Sequence, residues 1–85
     1  MIQLALDGKV VAVPRDVVHA IATAAAARAG VSGRHRDLSL ELNRSLESGR
    51  ATLGRGDVRA LVAVLEEVHP DGLGPGAAEL LSAVA

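Results

Sequence analysis

The chain has 85 residues, 49% of them hydrophobic and 22% charged, a balance that excludes a disordered tail or a collagen-like repeat and suits one small folded unit. It contains no Cys, Phe, Tyr or Trp, so a disulfide scaffold, a cysteine-ligated zinc, a Cys nucleophile and an aromatic platform for stacking bases are all excluded. The formal net charge of −1 gives no general attraction to nucleic acid or to a membrane surface.

The clearest local signal is residues 2–13, IQLALDGKVVAV. Asp7-Gly8 is a preferred two-residue hairpin turn, because its backbone needs positive φ. That turn sets a register in which Leu6 faces Lys9, Leu4 faces Val11 and Ile2 faces Val13. Gln3, Ala5, Val10 and Ala12 then share the other side. One face is bulky and apolar, and the other is smaller but also largely apolar. A lone hairpin is marginal in water, so this one is expected to need cover on both faces and a partner for its open edge.

Pro14 opens a helix expected over about 15–29, since its fixed φ and missing N–H cost nothing there. Asp16 in the first turn suits the helix dipole. Val17, Val18, Ile21, Ala24, Ala25 and Arg28 recur at helical spacing, with the Arg28 stem free to lie along the stripe. The run Ala24–Ala27 combines the highest helix propensity with no bulk, which lets another helix approach closely. Gly30-Val31 reads as the C-terminal cap with its apolar contact.

The next segment carries two periods. Leu38, Leu40 and Leu42 alternate as in a strand, while Leu38, Leu42 and Leu46 step by four as in a helix. A helix over 37–48 accounts for more residues, allows a Glu41–Arg44 pair and ends at Gly49. Ala51-Thr52-Leu53 reads as a short extended link. A third helix over 54–69 buries Val58, Leu61, Val62, Leu65 and Val68, with Asp57 near its start and His69 near its end. His69-Pro70-Asp71-Gly72 stops it. A short helix over 76–84 buries Leu80, Leu81 and Val84. The expected fold class is therefore α+β: an N-terminal two-stranded antiparallel hairpin followed by three to four short helices in a single domain, with the sheet shared across a homodimer. The core must be built from twelve Leu, eleven Val, two Ile and one Met. Without aromatics it is thin, which favours subunit contacts as a stabiliser.

Short motifs dissolve on inspection. Gly72–Gly76, GLGPG, mimics a dinucleotide-binding fingerprint, but a helix rather than a strand precedes it and only nine residues follow. Gly49 to Arg55 has the glycine spacing of a phosphate loop without its Lys-Ser/Thr. Gly30-Val31-Ser32-Gly33 is one residue short of a nucleophile elbow, in a chain too small for a hydrolase sheet. Arg55-Gly56-Asp57 spells the cell-adhesion tripeptide, but at an expected helix start. Asp16 with His19, or His69 with Asp71, could each supply two metal ligands at most. No catalytic residue, cofactor site or metal site is assigned.

Charge is unevenly spread. Residues 1–27 balance, residues 28–59 carry a net +3 from seven Arg, and residues 60–85 carry −4 with no Lys or Arg. Eight Arg against one Lys, with sixteen Ala, fits a GC-rich genome. The cluster Arg34-His35-Arg36, together with Arg28, is expected in a loop entering a helix, where outward N–H groups favour anions. Such residues could contact phosphates, with Arg44, Arg50, Arg55 and Arg59 as further contacts.

Val10-Val11-Ala12-Val13-Pro14, a helix, Gly30-Val31-Ser32 and a second helix resemble the ribbon-helix-helix repressors over residues 9–48. That resemblance implies a dimeric ribbon in the DNA major groove, read through polar side chains at alternate positions. Here the outward positions are Val, Ala and Lys9, the inter-helix turn is about two residues longer, and a hairpin partner precedes the ribbon. Gly8 to Pro14 is also similar to the swapped-hairpin transition regulators, with an extra residue before Pro14 and without their later strands. Neither family is assigned.

The leading expectation is a non-catalytic protein–protein interaction or regulatory module that acts as a homodimer. Its candidate self-association residues are Leu4, Leu6, Val10, Ala12, Ala24 and Ala27. The partner is itself, with another protein also open. The alternative is a DNA-binding regulator using Arg28, Arg34, His35 and Arg36. No stretch is long and apolar enough for a membrane span, and no secretory leader is evident, so the expected location is the cytoplasm.

Overall fold

A computed structural model of the chain describes residues 1–6, 8–28, 30, 33–68 and 76–84. Strands β1 (Ile2–Leu6) and β2 (Lys9–Val13) are followed by helices α1 (Arg15–Ala27) and α2 (Gly33–Ser48), strand β3 (Arg50–Thr52), and helices α3 (Arg55–Glu67) and α4 (Ala77–Val84). The class is α+β, with one small mixed sheet in the order β2-β1-β3. Asp7, the Val31 cap contact, the stop at His69–Gly72 and all of the Gly72–Gly76 run except Gly76 lie outside the described residues.

The hairpin register is the expected one. Ile2 lies opposite Val13, Leu4 opposite Val11 and Leu6 opposite Lys9, and Gly8 takes a φ of 78°, a backbone state that costs glycine nothing. Period-two alternation sends Ile2, Leu4 and Leu6 to the same side, where all three are buried. Among the described residues, the helices cover that side alone.

The third strand corrects the expected two-stranded arrangement. Residues read as a link pair parallel with β1, Gln3 opposite Arg50, Leu4 opposite Ala51 and Ala5 opposite Thr52. The Gln3 N–H donates to the Gly49 carbonyl at 3.0 Å, and the Leu53 N–H donates to the Ala5 carbonyl at 2.8 Å. Gly49, at φ 82°, ends α2 and turns the chain into this ladder. One of the two hairpin edges, that of β1, is therefore satisfied from within the chain. The strand Lys9–Val13, which would be the intermolecular ribbon in a ribbon-helix-helix arrangement, pairs here with β1 of its own chain.

In α2 the helical period prevails over the alternating one. Leu38 and Leu42 are fully buried, whereas Leu40 is 50% exposed, as a helix requires and a one-sided strand forbids. The helix begins at Gly33 rather than near Asp37, so Arg34-His35-Arg36 form its first turn and not a loop. Helix α1 packs closely against α2 through small residues. Ala22 and Ala25 of α1 are buried, as are Ser39 and Ser45 of α2. The Ser39 hydroxyl donates to the Ala22 carbonyl at 3.0 Å, and Ser45 donates to Leu42 of its own helix at 2.6 Å, so neither buried hydroxyl is left unsatisfied. Within the run Ala24–Ala27, only Ala25 is fully buried in the chain's own core. Helix α3 starts after Gly54, whose N–H donates to the Asp57 carboxylate at 3.3 Å, half of a capping box. Its face of Ala60, Leu61, Val64 and Leu65 is buried, while Val58, Val62 and Val68 are only partly so. No helix among the described residues is long and apolar enough to cross a membrane.

Candidate functional site

Among the described residues, nothing covers the outer side of the sheet. Alternation turns Gln3 and Ala5 outward on β1, beside Ala12 and Val10 on β2 and Arg50 and Thr52 on β3. Val10 is 67% exposed; Gln3, Ala12, Arg50 and Thr52 are exposed, and Ala5, between two neighbours, is half-buried. Four of these six were recognisable in the sequence as the second hairpin face. Arg50 and Thr52 were not, because their place on this face follows from β3 joining the sheet.

The two edges of the sheet differ. At the β3 edge the main-chain groups of Arg50 meet the Ser48 hydroxyl, which donates to the Arg50 carbonyl at 2.8 Å and accepts from its N–H at 3.4 Å. At the β2 edge the bonding follows from β1. Because the Gln3 N–H and the Ala5 carbonyl point to β3, the pairs Gln3–Ala12 and Ala5–Val10 are the non-hydrogen-bonded pairs of the hairpin. The N–H and C=O groups of Val10 and Ala12 therefore point away from β1, along the free edge.

The six candidate self-association residues separate accordingly. Leu4 and Leu6 are buried in the chain's own core, at 0% and 8% exposure, and offer nothing to a second copy: that part of the expectation is corrected. Ala24 is half-buried against the core, Ala27 is exposed at the end of α1, and Val10 and Ala12 lie on the open sheet.

The arginine cluster also divides. Arg28 forms an ion pair with Glu67 and donates to the Ala24 carbonyl at 3.0 Å, tying the end of α1 to the end of α3. Arg34 lies over the start of α3, where a Cβ added at Gly56 would sit 3.9 Å from its Nε. Arg36 is exposed. Successive helical residues diverge by about 100°, so three consecutive side chains in the first turn of α2 cannot form one face. Both ring nitrogens of His35 are buried without a hydrogen-bond partner. A buried polar atom of this kind costs free energy that an apolar group of similar shape does not. His35→Leu is therefore expected to leave stability unchanged or raise it by about 1 kcal/mol, read as the urea midpoint by circular dichroism. A clear loss of stability would show that the imidazole has a role in the fold.

Shallow clefts lie among the helices of the described residues. One of about 390 Å³ is lined by Arg15, Asp16, His19 and Leu46, and the Arg15 guanidinium donates to the Leu46 carbonyl. Another, about 300 Å³, is lined by Asp37, Leu40, Glu41, Arg44 and Asp57, with Arg44 and Glu41 3.9 Å apart. Asp16 and His19 do share the first cleft, but no group of three or more metal-binding side chains occurs among the described residues. No family model matches the chain, and comparison with curated proteins and with solved structures finds no match.

Proposed function

We propose that this chain is a non-catalytic protein–protein interaction or regulatory module that works as a homodimer. The observation that carries this reading is the open side of the sheet together with its free β2 edge, a row of main-chain donors and acceptors flanked by small apolar side chains. Exposed edge strands are templates for pairing, and monomeric proteins blunt them with charge, proline, bulges or a covering element. Strand β2 carries one charge, Lys9 at its end, and no proline before Pro14.

The reading of a DNA-binding regulator draws less support. Arg28 is engaged by Glu67, and the Arg34–Arg36 run wraps around a helix rather than lining one surface. The test is mass in solution. Light scattering behind size exclusion is expected to give twice the 8.7 kDa chain mass at roughly 100 μM, with the dimer fraction rising with concentration. A particle of 8.7 kDa at that concentration would overturn the homodimer.

A further inference from the structure

Resting on that reading, we infer that the homodimer forms by antiparallel pairing of β2 with β2 of a second copy about a twofold axis at Val11, making one continuous six-stranded sheet. The occupant follows from three features of the edge.

The first is self-complementarity. The outward-pointing main-chain groups belong to Val10 and Ala12, two positions placed symmetrically about Val11. An axis through Val11 sets Val10 opposite Ala12 of the second copy and Ala12 opposite its Val10. Each is then a hydrogen-bonded pair exchanging both N–H···O bonds, so every outward group of these residues is satisfied. This is the isologous arrangement a twofold demands.

The second is charge. In the antiparallel register Lys9 lies opposite Val13 of the second copy, and the two Lys9 Cα positions are about 14 Å apart along the strands, a spacing greater than the screening length of roughly 8–10 Å in ordinary salt. An in-register parallel pairing would bring the same two lysines to about 5 Å. The charge pattern thus selects the closed antiparallel dimer over an open parallel stack.

The third is closure. The opposite edge, β3, is three residues long and its Arg50 main-chain groups are already taken up by the Ser48 hydroxyl. Pairing at β2 leaves no second edge of equal quality, and growth stops at two copies. The joined sheet also brings the apolar Val10 and Ala12 side chains of both copies together on the open face.

The test uses variants that alter the edge and spare the hairpin. Val10 is 67% exposed, and in the proposed dimer it sits diagonally across from its symmetry mate, about 7–8 Å away on the same face. Val10→Lys and Val10→Glu are each expected to give the monomer mass at a concentration where the unaltered chain is dimeric, with unchanged far-ultraviolet circular dichroism. Mixing the two variants is expected to restore the dimer as a heterodimer. Ala12→Pro removes an N–H that points away from β1, and is expected to abolish the dimer while the hairpin persists. In the unaltered chain, hydrogen exchange at the Val10 and Ala12 amides is expected to slow as concentration rises, while the inward-bonded Val11 and Val13 amides change little. If the unaltered chain is dimeric and the lysine, glutamate and proline variants remain so, the β2 interface is wrong and the homodimer stands. If the unaltered chain is monomeric at every concentration, both fall.

Discussion

Leu42→Ala is expected to be the most damaging conservative truncation in the helical layer, lowering stability by about 2–5 kcal/mol. Leu42 is fully buried on α2, the helix that packs against α1, α3 and β3. The cost of such a truncation depends on whether neighbours can relax into the space. The core cluster that Leu42 belongs to is made of branched aliphatics and alanines, and the only methionine, the side chain best able to fill an irregular gap, is Met1 at 78% exposure. The loss therefore belongs at the upper end of the range. For a domain of this size it corresponds to a fall in Tm of roughly 10–40 °C, set against a total stability on the order of 4–13 kcal/mol. Circular dichroism reads the transition, since the chain has no tryptophan. Leu40→Ala, two residues away and half exposed, is expected to cost under about 1 kcal/mol. Equal losses from the two substitutions would contradict the orientation of α2.

Ala22→Leu is expected to destabilise by about 1–3 kcal/mol for the opposite reason, an excess of volume. Ala22 is 1% exposed and its carbonyl accepts the Ser39 hydroxyl across the α1–α2 crossing at 3.0 Å. A leucine there must push the helices apart, and separation also breaks the bond that satisfies Ser39, itself 6% exposed. Ala26→Leu on the exposed face of the same helix isolates the steric effect from helix propensity, because leucine is nearly as good a helix former as alanine. Thermal melts of the pair should differ by most of the predicted loss. A stable Ala22→Leu variant would mean that the crossing is looser than its small residues imply.

The candidate surface was partly legible. Its Val10 and Ala12 followed from the hairpin register alone, since a two-residue turn and a period of two leave no freedom in which side chains share a face. Leu4 and Leu6 were drawn into the same list because both hairpin faces are apolar. Which face a chain buries depends on where its helices land, and nothing in a strand's own alternation says so. The arginine cluster was misplaced for a related reason. The start of α2 moved forward to Gly33, and a run of polar residues that would share one surface in a loop is splayed around a helix.

Local chemistry was enough for the hairpin and its register, for α1, and for the helical state of residues 38–46 once Leu46 was weighed with Leu38 and Leu42. In each case the signal is carried by neighbours in the chain, through turn geometry, capping and periodicity. Strand β3 and the engagement of Arg28 by Glu67 were settled only in three dimensions. Three residues are too few to display a period, and Arg50–Thr52 become a strand because Gly49 turns the chain alongside β1, whose main-chain groups they meet. Glu67 is thirty-nine residues from Arg28, and their meeting depends on α1 and α3 ending at the same side of the core.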